Sequence, residues 1–213
     1  VIGIYGTDGT LHTCRLQANA ANPLNQQQNP LAANTGQPTV LNGGIQGKLL
    51  VGLGSVVQNI HDSTIAEADI ATATATARFT GAEPNVALNG DIVYVNPSAT
   101  IIIANPDGSI ASSIKTNWDA LNEGYEYIYP ALSADGSLVA YVDRSADRTT
   151  PTYIRQVTVK TRAGNLVATF PNFTQPAWTP DGRLVMVGDE GNFLNGIYIT
   201  DASLRGVTRL DPL

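Results

Sequence analysis

The stretch QPAWTPDGRLVMVGDE (residues 175–190) consists of an apolar segment, a Pro-Asp-Gly turn and a second apolar segment rich in Val and Leu. Pro-Asp-Gly between two such segments is typical of a tight turn that joins two antiparallel strands. The stretch therefore predicts a β-hairpin. Whether this hairpin stands alone or is one copy of a repeat decides the fold of the chain.

The same pattern recurs at a spacing of 46 residues. A proline followed six positions later by a glycine occurs four times in register, and a run rich in β-branched residues or leucine follows each pair. Four copies in register indicate an array of equivalent units rather than one isolated turn. The four pairs are Pro38 and Gly44, Pro84 and Gly90, Pro130 and Gly136, and Pro176 and Gly182.

A second pair of strands completes each unit. Residues 99–116, 153–170 and 196–210 read as two strands around a tight turn, residues 64–79 alternate without a clear turn, and residues 1–16 repeat the pattern of 196–210. No stretch has helical periodicity. Four short strands in roughly 40–50 residues are typical of a propeller blade. We therefore predict an all-β chain, a β-propeller of four-stranded antiparallel blades whose stacked faces bury one another.

The predicted propeller domain covers residues 1–213 and contains about four and a half blades. Because the first half-blade lacks its inner strands, three explanations stay open. The chain is part of a larger propeller with residues upstream, or a five-bladed ring with one defective blade, or a subunit that exchanges strands with a neighbour. The predicted parts are a half-blade at 1–16, a polar low-complexity loop at 17–37, and blades at about 38–79, 84–116, 130–170 and 176–213.

The motif PAWTPDGRLVMV, followed by GIYITD, resembles the repeat of TolB-like bacterial propellers, which read roughly Pro-x-Trp-Ser-Pro-Asp-Gly and then a strand. Residues 176–213 match this repeat well, and residues 130–170 match it with Leu132 in the place of Trp. Residues 84–115 match more loosely, and residues 38–79 keep little beyond Pro and Gly. The resemblance implies a propeller fold but no particular activity, since such propellers serve as partners, sensors and domains of hydrolases.

Composition limits the partners and the compartment. The formal net charge of −6 argues against a surface for nucleic acid or anionic membranes, which would need clustered Lys and Arg. Only 14% of the residues are charged, which favours a periplasmic or extracellular location. No run approaches the roughly 18 apolar residues that a membrane-spanning helix needs, so we predict no transmembrane segment.

Loop lengths point to one candidate binding surface. With the strands of a blade called A to D in chain order, the A–B and C–D turns are short, whereas D–A and B–C connections vary and lie together at one end of a propeller. Long connections at 17–37, 117–128, 143–153 and 188–196 predict a partner-binding face there, although simple tolerance of insertions stays an alternative. Aromatic and charged residues suit protein recognition. The candidates are Trp118, Glu123, Tyr125, Arg144, Arg148, Asp189, Glu190, Asn192 and Phe193.

Cofactors and catalysis have little support in the sequence. Asp189, Glu190 and Asn192 offer oxygen ligands for Ca²⁺, but no Asp-x-Asp-x-Asp loop accompanies them, so we predict no cofactor and keep Ca²⁺ as the alternative. There is no Gly-x-Ser-x-Gly motif, and His12 and His61 fall on different blades. We therefore predict that the chain is not an enzyme.

The favoured function is a non-catalytic propeller outside the cytoplasm, acting as a protein-interaction or assembly module through its long-loop face. A protein partner is expected, and the polar loop and the half-blade also fit a subunit of a multi-chain assembly. The alternative is the propeller domain of a larger hydrolase, of the prolyl-oligopeptidase kind, whose catalytic domain lies outside this sequence.

Overall fold

A computed structural model of the chain describes residues 2–5, 11–14, 29–31, 37–42, 48–54, 64–69, 74–118, 127–144, 155–188 and 196–210. All regular secondary structure in these ranges is β-strand, which confirms the all-β prediction. No helix in these ranges is long and apolar enough to cross a membrane. The strands form one three-stranded and four four-stranded sheets. The chain divides into two compact units, Val1–Pro84 and Asn85–Leu213.

The three-stranded sheet of the first unit contains a strand that the sequence pattern missed. Its strands are β1 (Ile2–Tyr5), β2 (Leu11–Cys14) and β3 (Asn29–Leu31), in that order across the sheet. β3 lies inside the segment 17–37, so the prediction of a loop is wrong for these three residues. Pro30 lies opposite His12 in the register. Proline is tolerated there because β3 is an edge strand, in which a residue can lack the backbone N–H that would otherwise pair with a neighbouring strand.

The other sheet of the first unit is the blade that follows Pro38, called blade 2. Its outer strands are joined by an ion pair at 2.6 Å between Arg78 and Glu67, and Ile65 is fully buried. Threonine and alanine alternate along the last strand, a pattern that fits a pleated strand. Blade 2 is formed in chain order by β4 (Gln37–Asn42), β5 (Lys48–Gly54), β6 (Thr64–Asp69) and β7 (Thr74–Thr80).

Three sheets, called blades 3, 4 and 5, follow in the chain, and the boundary between the two compact units falls inside the first strand of blade 3. In each of them the strands are arranged in chain order. Blade 3 is β8 (Ala82–Val86), β9 (Ile92–Val95), β10 (Thr100–Ala104) and β11 (Ile110–Lys115). Blade 4 is β12 (Ala131–Leu132), β13 (Leu138–Arg144), β14 (Arg155–Thr161) and β15 (Leu166–Pro171). Blade 5 is β16 (Phe173–Trp178), β17 (Leu184–Gly188), β18 (Ile197–Thr200) and β19 (Val207–Arg209).

The Pro-Asp-Gly segment forms the predicted hairpin turn between β16 and β17. The backbone N–H of Thr179 donates to the carbonyl of Arg183 at 2.9 Å, and that of Gly182 donates to the carbonyl of Thr179 at 3.0 Å. Gly182 has a φ of 82°, a left-handed conformation that glycine adopts without the steric cost of a Cβ. Gly136 and Gly90, one and two repeats earlier, also have positive φ. The repeated glycine therefore marks the same turn in three blades.

Two apolar layers hold the second unit together, one on each face of blade 4. Along β13, alternate side chains point to opposite faces, so Val139 and Tyr141 pack towards blade 3 whereas Ala140 packs towards blade 5. The layer between blades 3 and 4 contains Val93, Val95, Ile101, Ile103, Ile114, Leu132, Val139 and Tyr141. The layer between blades 4 and 5 contains Ala140, Val157, Val159, Phe170, Phe173, Leu184 and Met186.

Candidate functional site

Two of the long connections start from one group of hydrogen-bonded residues, Asn117, Asp143 and Arg144, which we call the base of the loops. Asn117 follows β11, and Asp143 and Arg144 end β13. The backbone N–H of Asn117 donates to Oδ1 of Asp143 at 2.8 Å, and its side-chain amide donates to the carbonyl of Arg144 at 3.1 Å. The D–A connection after blade 3 and the B–C connection of blade 4 therefore leave the blades side by side, at the end that we call the long-loop face.

The D–A connection is anchored at both of its ends. Near its start, the indole N–H of Trp118 donates to the carbonyl of Val142 at 3.2 Å. Near its return, the carbonyl of Ile128 accepts the N–H of the same residue, Val142, at 2.6 Å. Trp118 is 8% exposed and Ile128 fully buried. β13 thus holds Trp118 and Ile128 on either side of the connection through one residue, Val142.

Asp143 is the buried acid of this base. Its side chain accepts hydrogen bonds from the backbone N–H groups of Asn117 and Arg144. Burial raises the pKa of Asp143 above its ordinary value, and the two N–H donors offset part of that rise. Burial and the neighbouring charge of Asp143 also raise the pKa of Tyr141. A buried acceptor between two backbone donors is a structural anchor, since its removal leaves both donors unpaired.

The structure describes two of the nine predicted partner-binding residues. Trp118 and Arg144 are both 8% exposed, so in this chain they form part of the base and offer little surface to a partner. The role of all nine residues in partner binding stays a prediction. The remaining seven, which lie outside the described residues, are Glu123, Tyr125, Arg148, Asp189, Glu190, Asn192 and Phe193.

An exposed aromatic pair lies beside the base. Tyr127 and Tyr129 stack with their ring centroids 5.4 Å apart, and Tyr127 is 41% exposed. Ile128 between them turns inward and is fully buried. Alternation along this short segment therefore presents a tyrosine surface to solvent while the intervening residue anchors the backbone.

The predicted alternative of a Ca²⁺ site is not tested. Its residues Asp189, Glu190 and Asn192 lie outside the described ranges. Within those ranges, no group of three or more His, Cys, Asp or Glu side chains is arranged to hold a metal ion.

The second unit has a cleft that the sequence did not predict. It opens at the end opposite the long loops, on the face formed by the A–B and C–D turns, which we call the tight-turn face. Its volume is about 230 Å³. Leu88, Ala134 and Pro180 line it from three successive A–B turns, at positions 46 residues apart. Trp178 also lines it, and the indole N–H of this residue donates to the carbonyl of Ala131 at 3.0 Å. An apolar residue repeated before each Asn-Gly or Asp-Gly pair was the signal that could have revealed the cleft.

The rim of the cleft is tied together between blades 3 and 4. The side-chain amide of Asn89 donates to the carbonyl of Asp135 and to Oδ2 of Asp91, each at 2.9 Å. Arg162 pairs with the same Asp91 oxygen and donates to Oδ1 of Asn105 at 3.0 Å. A side chain of blade 4 therefore binds two side chains of blade 3, which fixes the relative position of the two turns.

The repeated four-stranded antiparallel blades define a β-propeller fold, and solved structures agree. Three similar ones are TolB from Acinetobacter baumannii, the WD40 propeller domain of Doa1 and a structure from a study of two prolyl endopeptidases. Their TM-scores are 0.60, 0.60 and 0.51 at identities of 15%, 14% and 10%, and they match 93%, 95% and 81% of this chain. The matches span 50%, 62% and 29% of those chains, less than two thirds in each case.

These identities establish the fold alone. No protein-family model matches the sequence, and no curated protein does either. The chain is therefore a β-propeller in fold, similar to TolB and to WD40 domains in structure.

Proposed function

We propose that the chain is a non-catalytic protein-interaction module that works outside the cytoplasm and contacts its partner through the long-loop face. The observation that carries this proposal is the base described above, in which Asn117 bonds to both Asp143 and Arg144. Loop ends that are already fixed in the free protein reduce the conformational entropy lost on binding, so such a base favours binding by the loops. The low content of charged residues, 14%, supports the location.

The exposed surface beside the base has the chemistry of protein recognition. Tyr127 supplies a large, partly exposed ring that is already ordered by stacking on Tyr129. Tyrosine is enriched at protein interfaces because it combines apolar area with a polar hydroxyl. The predicted loop residues Tyr125, Glu123 and Arg148 would extend this surface.

Site-specific photocrosslinking in the native organism tests the proposal. A photoreactive amino acid is placed at Tyr125, Arg148 or Phe193, and the control position is Leu166, which is 63% exposed at the tight-turn end of blade 4. Crosslinks from the loop positions to one common protein, absent from Leu166, support the long-loop face. Crosslinks from Leu166 alone, or none from any loop position, contradict it.

The proposal extends to assembly. Light scattering on the purified chain measures whether it associates with itself, and a monomer at all concentrations argues against a homomeric assembly. A hetero-assembly is then sought through the crosslinked partner, which should co-purify with the chain in a fixed ratio.

A second candidate function is the propeller domain of a larger hydrolase. The observation that favours it is the similarity to a structure of the prolyl endopeptidase study, in which the match spans only 29% of the longer chain. A fluorophosphonate probe for serine hydrolases, applied to the native protein, decides between the two. Labelling of the native protein would favour the hydrolase. Labelling that persists after the nucleophile is inactivated would be non-specific and would not support it.

A further inference from the structure

The cleft on the tight-turn face lies away from the surface used in the proposed function. Its volume of about 230 Å³ is smaller than the roughly 300–1,000 Å³ of pockets that enclose small-molecule ligands. A cleft of this size matches one or two amino-acid side chains. It therefore suits a side chain of a polypeptide better than a cofactor.

Most residues that line the cleft are apolar. Leu88 is 81% exposed at the tip of a hydrogen-bonded turn. Trp178 contributes its ring, and the one polar group of that ring is already bonded to the carbonyl of Ala131. The ring of Trp178 therefore offers apolar contact with no unpaired polar group of its own, and the polar residues Asn85 and Thr179 complete the lining.

An acidic residue follows the lining residue in two of the three turns. Asp135 follows Ala134 and Asp181 follows Pro180 in the turns that line the cleft. Hydrogen bonds from the Ser133 side chain, and next from Ser137, lower the pKa of Asp135 to about 2, so it is ionised at neutral pH. Asp181 pairs with Arg183 at 2.8 Å, whereas in the described part of the chain no cation pairs with Asp135. The turn that contributes Ala134 to the cleft therefore carries a negative charge that a cation of a ligand can balance.

We propose that this cleft binds an extended segment of another protein, in which an apolar side chain enters between the three turns and an adjacent Lys or Arg pairs with Asp135. The apolar lining of the cleft selects the apolar residue of the recognised segment, and the charge of Asp135 selects the adjacent Lys or Arg. The formal net charge of −6 on the whole chain favours the same basic partner. This site is independent of the long-loop face.

NMR on the full chain tests the proposal, because Trp118 and Trp178 give two indole N–H signals that a Trp178→Phe variant assigns. The probe is the peptide acetyl-Gly-Lys-Phe-Lys-Gly-amide, and the matched peptide has Glu in place of each Lys. For so short a peptide we expect a Kd of about 0.1–1 mM. The Lys peptide should shift the Trp178 signal and leave that of Trp118 unchanged, and the Glu peptide should bind at least fivefold more weakly.

Two pairs of variants separate the apolar and the charged parts of the site. Leu88→Ser and Asp135→Asn should each weaken binding of the Lys peptide at least threefold. Their controls, Leu166→Ser and Asp107→Asn, change an equally apolar exposed residue and an equivalent turn aspartate elsewhere on the tight-turn face, and should change nothing. Asp135→Asn keeps the oxygen that accepts the serine bonds, so the turn should persist.

Three outcomes overturn the proposal. In the first, the Lys peptide leaves the Trp178 signal unmoved at 5 mM, about five times the weakest expected Kd. In the second, both peptides bind equally, which indicates an apolar cleft without charge selection. In the third, the Trp178 signal shifts with protein concentration alone, which identifies a second copy of the chain as the occupant.

Discussion

Arg162 joins blades 3 and 4, and its replacement by methionine should destabilise the second unit by about 2 kcal/mol. Arg162 pairs with Asp91 and donates to Asn105, so the variant removes two interactions made across the interface. Removing one partner of a fully buried ion pair costs about 3–5 kcal/mol. The Arg162 side chain is 31% exposed and that of Asp91 8%, so solvent screening lowers the expected loss towards the value for one charged hydrogen bond, about 1.5–3 kcal/mol.

A matched control is present in the neighbouring blade. Arg183 pairs with Asp181 at 2.8 Å, but the two side chains are 42% and 57% exposed. Exposed pairs of this kind contribute about 0–1 kcal/mol. Arg183→Met should therefore cost less than about 0.5 kcal/mol, and the small effect should vanish in high salt, whereas the effect of Arg162→Met should persist there.

Urea unfolding followed by tryptophan fluorescence measures these differences, because both tryptophans of the chain lie in the second unit. A double-mutant cycle with Asp91→Asn should give a coupling energy of about 1–2 kcal/mol between positions 91 and 162. If Arg162→Met loses no more stability than Arg183→Met, or if the coupling is near zero, the pair does not hold the blades together and the argument from burial fails.

Three further predictions concern the turns, the base of the loops and pH. Gly136→Ala should cost about 1–2 kcal/mol more than Gly182→Ala in urea unfolding, because both residues have positive φ but only a Cβ at position 136 meets side-chain atoms of blade 3, at 2.6 Å; equal losses would contradict the close contact. Trp118→Ala should lower the unfolding free energy by about 3–5 kcal/mol and Trp178→Ala by less, since Trp118 is 8% exposed and Trp178 is partly exposed; the reverse order would contradict a buried base. Because the pKa of Asp143 is raised in the folded state, its contribution to stability is full below the ordinary value of 3.8 and is lost as pH rises through the folded value. Asp143→Asn should therefore gain stability relative to the parent protein as pH rises above the ordinary pKa of 3.8 in unfolding curves, and a difference that is constant with pH would show that the acid is not desolvated.

The sequence predicted the blades because their hairpins depend on local chemistry. Glycine at every forty-sixth position is needed wherever the turn adopts a positive φ, and this is confirmed at Gly90, Gly136 and Gly182. The strand at Asn29–Leu31 was missed because three residues of Asn, Pro and Leu carry no alternation that a sequence pattern can detect. Its pairing depends on β2, the preceding strand, which ends at Cys14.

The candidate sites were harder to predict because they depend on contacts between blades. Trp118 is an aromatic residue in a long connection, and the sequence therefore favoured an exposed position for it. Its burial follows from a hydrogen bond to Val142, 24 residues away. The cleft likewise needs three turns at once, Leu88, Ala134 and Pro180, and each of these residues alone is an ordinary turn residue.

A constant spacing of 46 residues also does not show which neighbouring blade a given side chain packs against. In blades 3 and 5 the first turn closes between residues four apart, Ala87 to Asp91 and Thr179 to Arg183, whereas in blade 4 it closes between Ser133 and Leu138, five apart. One extra residue moves every following side chain to the opposite face of the strand. Val93 and Val139 therefore occupy the same position in the repeat but face each other across one interface.

The two ends of the second unit differ in how they could change during evolution. On the tight-turn face, the ion pair of Arg162 with Asp91 makes the turns of blades 3 and 4 depend on each other, so a substitution in one of them disturbs the other. On the long-loop face, the bonds of Asn117 to β13 are made at the ends of the connections and not within them. The sequence between those ends can therefore vary without loss of the base. For this reason we expect partner specificity to be determined by the long loops and binding of a simpler motif, an apolar residue beside a cation, by the cleft.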